Sequence, residues 1–160
     1  MKIYTSYFYQ IRFFKSHQIP LSTAVWDPKW FHEGQGQDHV WKDKNGVWNG
    51  LRLEILNPDN CCSLPPECVE CQRKGDPETC SFIKDYSEGL HTKVNFSELL
   101  EMINKTAEYI QQLEGFKEEP EVILIVHEAF NEPCSERGSI QNLFAEHGIE
   151  CTEWKPPKPY

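Results

Sequence analysis

The chain has 160 residues, 39% hydrophobic and 26% charged, with 16 basic against 25 acidic side chains and a formal net charge of −9. That length suits one domain with a real core, and the composition is that of an ordinary globular protein. The acidic excess, without any basic run, argues against duplex nucleic acid as a partner; no stretch reaches the roughly 20 apolar residues of a membrane span; and MKIYTSYF lacks the apolar core of a signal peptide, so a cytoplasmic location is expected.

Lys2–Ser6 reads as a first strand. Tyr7, Phe8, Ile11 and Phe14 recur at helix-like spacing over Tyr7–Lys15. Ile19–Val25 reads as a second strand, with Pro20 near its start where a missing donor is tolerated. Asp27 is placed to cap a helical turn, with Pro28 at the first helical position. Gly34–Asn49 is polar and reads as a long loop anchored by Trp41 and Trp48; Leu51–Leu56 fits a short strand or helix equally.

Asn57–Leu90 holds five of the seven cysteines and reads as an insertion within a single α/β domain spanning 1–160. Asn95–Glu114 is the clearest helix. Asn95 and Glu98 make a capping-box-like start, an apolar stripe runs from Phe96 to Leu113, and Gly115 ends it. Val122–Val126 is an unbroken aliphatic run, as expected of a strand buried on both faces. Glu136–His147 is a second helix closed by Gly148, Ile149–Trp154 a last strand, and Lys155–Tyr160 an extended, mobile tail. The order predicts a small, mostly parallel, Rossmann-like sheet with helices on both faces.

In the insertion, Cys68-Val69-Glu70-Cys71 is a C-x2-C knuckle, Cys80 follows after eight residues, and Cys61 or Cys62 precedes it. Four thiolates suit a closed tetrahedral site, so structural zinc is the expected cofactor; an iron–sulfur cluster and free thiols are the competing readings. Without an export signal, a disulfide framework is disfavoured.

Right-handed crossovers bring the carboxyl ends of the strands to one rim, where open α/β sheets bind ligands. That rim gathers Thr5, Ser6, Tyr7, Trp26, Lys29, Trp30, Glu128, Cys134 and Arg137. The aromatics can stack a flat ring, and the Arg137 fork can grip an anion in two places, which makes it the expected main ligand contact. Cys134 at a helix start has a stabilised thiolate. Cysteine phosphatases, however, need five residues between Cys and Arg, and here there are two; a nucleophile also needs a base, and none adjoins it. The plain alternative for Glu128 is a structural ion pair with Arg137.

These stretches resemble the domain-of-unknown-function 488 family, in a divergent phage or bacterial member. The likeness rests on MKIYTSYF, on Pro28-Lys29-Trp30 after the second strand, and on a strand ending in Glu128 followed by Cys134 and Arg137. Members usually carry Cys-His-Arg where this chain has Cys134-Ser135-Glu136-Arg137, so no role for that histidine carries over. The resemblance covers the two ends of the chain, not Gly34–Leu90, and implies a small α/β fold with a ligand site.

The leading expectation is binding, including sequestration, of a small anionic or nucleotide-like ligand at the rim. The alternatives are an enzyme acting on a nucleotide-type substrate through Glu128 or Cys134, and a phage-type interaction module that inhibits a host protein partner.

Overall fold

The computed structural model describes residues 1–33, 39–61, 80–129 and 135–157. Its elements are β1 (Lys2–Tyr7), a 3-10 helix (Phe8–Phe13), β2 (Gln18–Ser22), a 3-10 turn (Lys29–His32), β3 (Trp41–Lys42), β4 (Trp48–Asn49), a 3-10 turn (Glu54–Leu56), α1 (Pro58–Cys61), α2 (Ser81–Lys93), α3 (Phe96–Glu114), β5 (Glu121–Val126), α4 (Arg137–Glu146) and β6 (Cys151–Glu153). β1, β2, β5 and β6 form one sheet in the order β2-β5-β1-β6, and every pairing is parallel.

The aliphatic run explains the sheet's place in the molecule. Side chains alternate along a strand, so Val122, Leu124 and Val126 enter a core shared with α2, α3 and α4, while Ile123 and Ile125 enter a second core with Phe8, Phe14, Phe31 and Trp154. All five are fully buried, each contributing roughly 1.5–3 kcal/mol relative to an exposed side chain. Both faces are covered as expected, but the α-helices α2–α4 lie on one face. The other carries the Phe8–Phe13 and Lys29–His32 helical turns and part of the β3–β4 hairpin.

Several elements differ from expectation for identifiable reasons. The segment after β1 is 3-10 rather than α: Phe8, Ile11 and Phe14 recur every third residue, the 3-10 period, and all three are buried. β2 stops at Ser22, although Thr23 N–H still donates to Ile125 O at 2.9 Å. Within the long polar segment, β3 and β4 pair as a hairpin. Its turn is built on Asp43, whose Oδ1 accepts from the backbone N–H groups of Asn45 and Val47. Leu51–Leu56 is neither a strand nor an α-helix: Arg52 bridges to Ser22, then one 3-10 turn follows.

The cysteine-rich segment ends in α2, whose Phe82, Tyr86 and Leu90 are buried, with Tyr86 and Leu90 in the main core. Cys62, Cys68 and Cys71 lie outside the described residues. Cys80 is buried as the residue that precedes α2, and Cys61 ends α1. Among the described residues no helix is long and apolar enough to cross a membrane.

Candidate functional site

At the carboxyl end of β5 the chain turns at once. His127 is exposed and Glu128 is buried. The next described residues, Ser135 and Glu136, are also buried and lead into α4. The Glu136 carboxyl is pushed well above the usual carboxylate range, first by burial and then by the charge of Glu128 and a hydrogen bond with it. A hydrogen bond between two carboxyl groups requires a proton between them, and the raised Glu136 carboxyl is the one placed to carry it. The amino end of a helix that follows a strand can receive a ligand anion. Here the protein sets its own carboxyl pair beside that helix end.

Arg137 faces inward. Its Nε donates to Glu153 Oε1 at 3.0 Å, Nη1 to Ala129 O at 2.8 Å and Nη2 to Glu128 O at 2.5 Å. The side chain is 12% exposed. The expected open grip on an anion is therefore used internally, as a clamp from the end of β5 to the end of β6. The ion pair is with Glu153, whereas Glu128 contributes only its carbonyl. Glu153 also accepts from Thr5 Oγ1 at 2.8 Å, and Thr5 accepts from Gln141 Nε2 at 2.7 Å. Burial raises the Glu153 carboxyl above its ordinary value even though Arg137 and Thr5 pull the other way. Cys134, the expected thiolate of this edge, lies outside the described residues.

A second polar cluster sits at the end of β2. Asp27 does not cap the following turn: Pro28 is the residue that precedes it, and no side chain caps it. Instead the Asp27 carboxylate, with no exposed side-chain surface, accepts from Ser22 Oγ at 2.5 Å and from Arg52 Nη1 at 2.6 Å, and meets His32 Nε2 at 2.7 Å. Arg52 Nη2 and Asn57 Nδ2 both donate to Ala24 O, at 2.7 and 2.8 Å. The carboxylate lies between the serine and the histidine. The histidine does not touch the serine, so this is a structural network and not a Ser–His–acid relay. It fixes the loop that carries Trp26, Lys29 and Trp30.

Those three side chains are exposed, Trp26 to 72% and Trp30 to 46%. Trp30 is braced by Phe8 and Phe31, each ring edge-on, at centroid distances of 6.3 and 6.1 Å. The loops leaving β1 and β2 thus meet, as the rim expectation requires. Tyr7, half-buried, accepts from Gln10 Nε2 at 2.8 Å, and Ser6 is buried with no hydrogen-bond partner for its hydroxyl among the described residues. Beside this rim lies a groove of about 720 Å³, lined by Phe8, Arg12, Trp30, Trp41, Lys44 and Asn49 among others. That volume falls within the range of small-molecule sites.

The sequence pointed to Trp30 and Glu128 but not to their partners. Glu136 stood in view at the helix start, yet nothing local marks it as facing Glu128. Glu153 and Arg52 reach Arg137 and Asp27 only through the fold, whereas the amide partners of Asn49 lie in its own hairpin. Among the described residues no cluster of three or more metal-ligating side chains occurs. No known protein family, curated protein or solved structure matches the chain, so the family resemblance rests on the quoted residues alone.

Proposed function

We propose that the protein binds a small nucleotide-like ligand at the carboxyl-end rim of its sheet, in the groove beside Trp30. The observation that carries this is Trp30 itself: a half-exposed indole, held by Phe8 and Phe31, forming part of a groove that also contains Trp41. Exposing a large aromatic that is nonetheless held in place costs solvation, and such surfaces commonly serve ligands. Negative charge on the ligand is met by Arg12 and Lys44 of the groove rather than by Arg137.

The test is a thermal-shift panel of nucleotides, followed by recovery of the ligand. A binder should raise Tm and be recovered intact. Trp30→Ala should weaken it at least tenfold, the scale of an aromatic stacking contact. Arg137→Lys should lower Tm and leave the affinity within about twofold. A panel without any stabilising nucleotide, or unchanged affinity in Trp30→Ala, would remove the proposal.

The Glu128–Glu136 pair favours a second reading, an enzyme using Glu128 on a nucleotide-type substrate, because a buried carboxyl with raised proton affinity set against a second carboxyl is common acid–base machinery. Recovery of a cleaved product, lost in Glu128→Gln, would select it. We further propose structural zinc on Cys68, Cys71, Cys80 and one of Cys61 and Cys62, on donor chemistry alone. Elemental analysis of reduced protein should find about one zinc per chain; less than a tenth of an equivalent sinks the proposal.

A further inference from the structure

Helix α3 carries more apolar surface than the core uses. Leu99, Ile103, Ala107 and Ile110 are buried in the main core. A second stripe runs beside them: Met102, Thr106, Tyr109 and Leu113, spaced four, three and four residues apart. Met102 is 50% exposed, Tyr109 67% and Leu113 55%. The Thr106 hydroxyl donates to Met102 O at 2.8 Å, so it needs no polar partner outside its own helix. Along this stripe lies a second groove of about 440 Å³, between α3 and the β3–β4 hairpin, lined by Trp48, Leu51, Ile110 and Leu113 among others. Glu114 ties its two walls together: Oε1 accepts from Trp48 Nε1 at 3.0 Å, and Oε2 from Lys42 Nζ at 2.9 Å. Contiguous exposed apolar surface of this kind marks a protein contact.

The spacing and the residues narrow the partner. Alternating three- and four-residue steps form the seam of paired helices, each side chain entering a gap on the facing helix. Set antiparallel to a copy of itself, with the two-fold axis between Ala107 and Glu108, α3 brings Tyr109 opposite Thr106 and Leu113 opposite Met102. The bulkiest side chain of the stripe meets the smallest, and the symmetry repeats both layers. The charges permit this pairing. Lys105, held by Glu101 at 2.7 Å, comes opposite Gln112 of the second copy. Glu101 and Glu108 are exposed about a third of a turn round the helix from the seam. At each end Glu98 comes opposite Lys117 and Glu118, while Glu119 is taken by the Met1 amino group. Antiparallel helices also set opposite dipole ends side by side. The net charge of −9 on each copy opposes association, so the apolar seam has to carry it.

We propose that α3 is a self-association face: a second copy of this chain docks antiparallel across it, and Tyr109 of each copy enters the groove of the other beside Thr106. One helix face is smaller than the roughly 20–30 residues a side of a standard interface, so the dimer is reversible and concentration-dependent. This goes beyond rim binding and does not rest on it, since the groove beside Trp30 shares no lining residue with the groove along α3.

The experiment is sedimentation velocity of the full, reduced chain from about 5 to about 500 µM, which should show monomer passing into dimer. Tyr109→Lys alters an exposed side chain and should keep Tm, yet raise the dimer dissociation constant at least about tenfold, as loss of an aromatic anchor does. Cross-linking reads the register. On oxidation, the double variant Met102→Cys, Leu113→Cys should form more disulfide-linked dimer than the parent chain, because the two positions face each other. Met102→Cys alone should not, because its two copies stand about 16 Å apart along the seam, too far for a disulfide. A monomer at every concentration overturns the proposal. A dimer untouched by Tyr109→Lys overturns it too, because the second copy then sits elsewhere. No extra cross-link in the double variant, or an equal one in Met102→Cys alone, overturns the antiparallel register. None of these outcomes bears on ligand binding at the rim.

Discussion

At the residue scale, the Glu128–Glu136 pair makes a pH prediction whose sign follows from linkage. Burial and Glu128 raise the Glu136 carboxyl above its ordinary 4.5. A group with a raised folded value contributes stability that is fully present below its unfolded value and is lost as pH rises through the folded value. Tm should therefore fall as pH climbs from 4.5 through neutrality. Glu153, also raised, adds the same slope, so the variant isolates the effect: Glu136→Gln can still donate to Glu128 and should flatten the Tm profile between pH 5 and 9. Parallel profiles for the two proteins would show that Glu136 is not the titrating group.

Elements are held by local chemistry that can be removed one piece at a time. Asn95 Oδ1 accepts from Glu98 N–H at 3.1 Å at the start of α3, and Gly115 closes the helix at φ +70°. Asn95→Ala should cost about 1 kcal/mol. Gly50 should be far less tolerant. Its φ is +94°, and a Cβ there would stand 2.1 Å from His39 O. That carbonyl also meets His32 Nδ1 at 3.2 Å, and His32 in turn holds Asp27. Gly50→Ala should therefore push on the loop carrying Trp30 as well as on the hairpin, costing well over the ~1 kcal/mol of a compatible glycine replacement. Chemical denaturation of both variants checks the order; equal losses would contradict it.

Across the whole molecule, the sheet shields chemistry that exposure would activate. Cys151 begins the edge strand β6 and is buried, its thiol pushed up to about 12 by desolvation and by the charge of Glu153. The thiolate is the reactive form. Cys151 should therefore resist iodoacetamide at pH 8 in the folded protein and react promptly in denaturant, as read by mass spectrometry of the Cys151 peptide. Fast labelling under native conditions would mean that β6 opens locally and that the Arg137–Glu153 clamp does not hold the edge.

The sequence by itself determined the elements whose cause is local. Val122–Val126 is apolar at every position and must be buried on both faces; Asn95, Glu98 and Gly115 mark the ends of α3; alternating β and α patterns demand parallel pairing. It also placed the aromatic loop after β2 at the same rim as Glu128. Only the tertiary structure decided which polar groups meet. Arg137 finds Glu153 sixteen residues away, Asp27 finds Arg52, and residues from the β1 loop, the β2 loop and the hairpin come together to line one groove. Apolar burial depends on periodicity, which a sequence displays. Hydrogen bonds and ion pairs depend on distances of about 3 Å between atoms that the fold alone brings together.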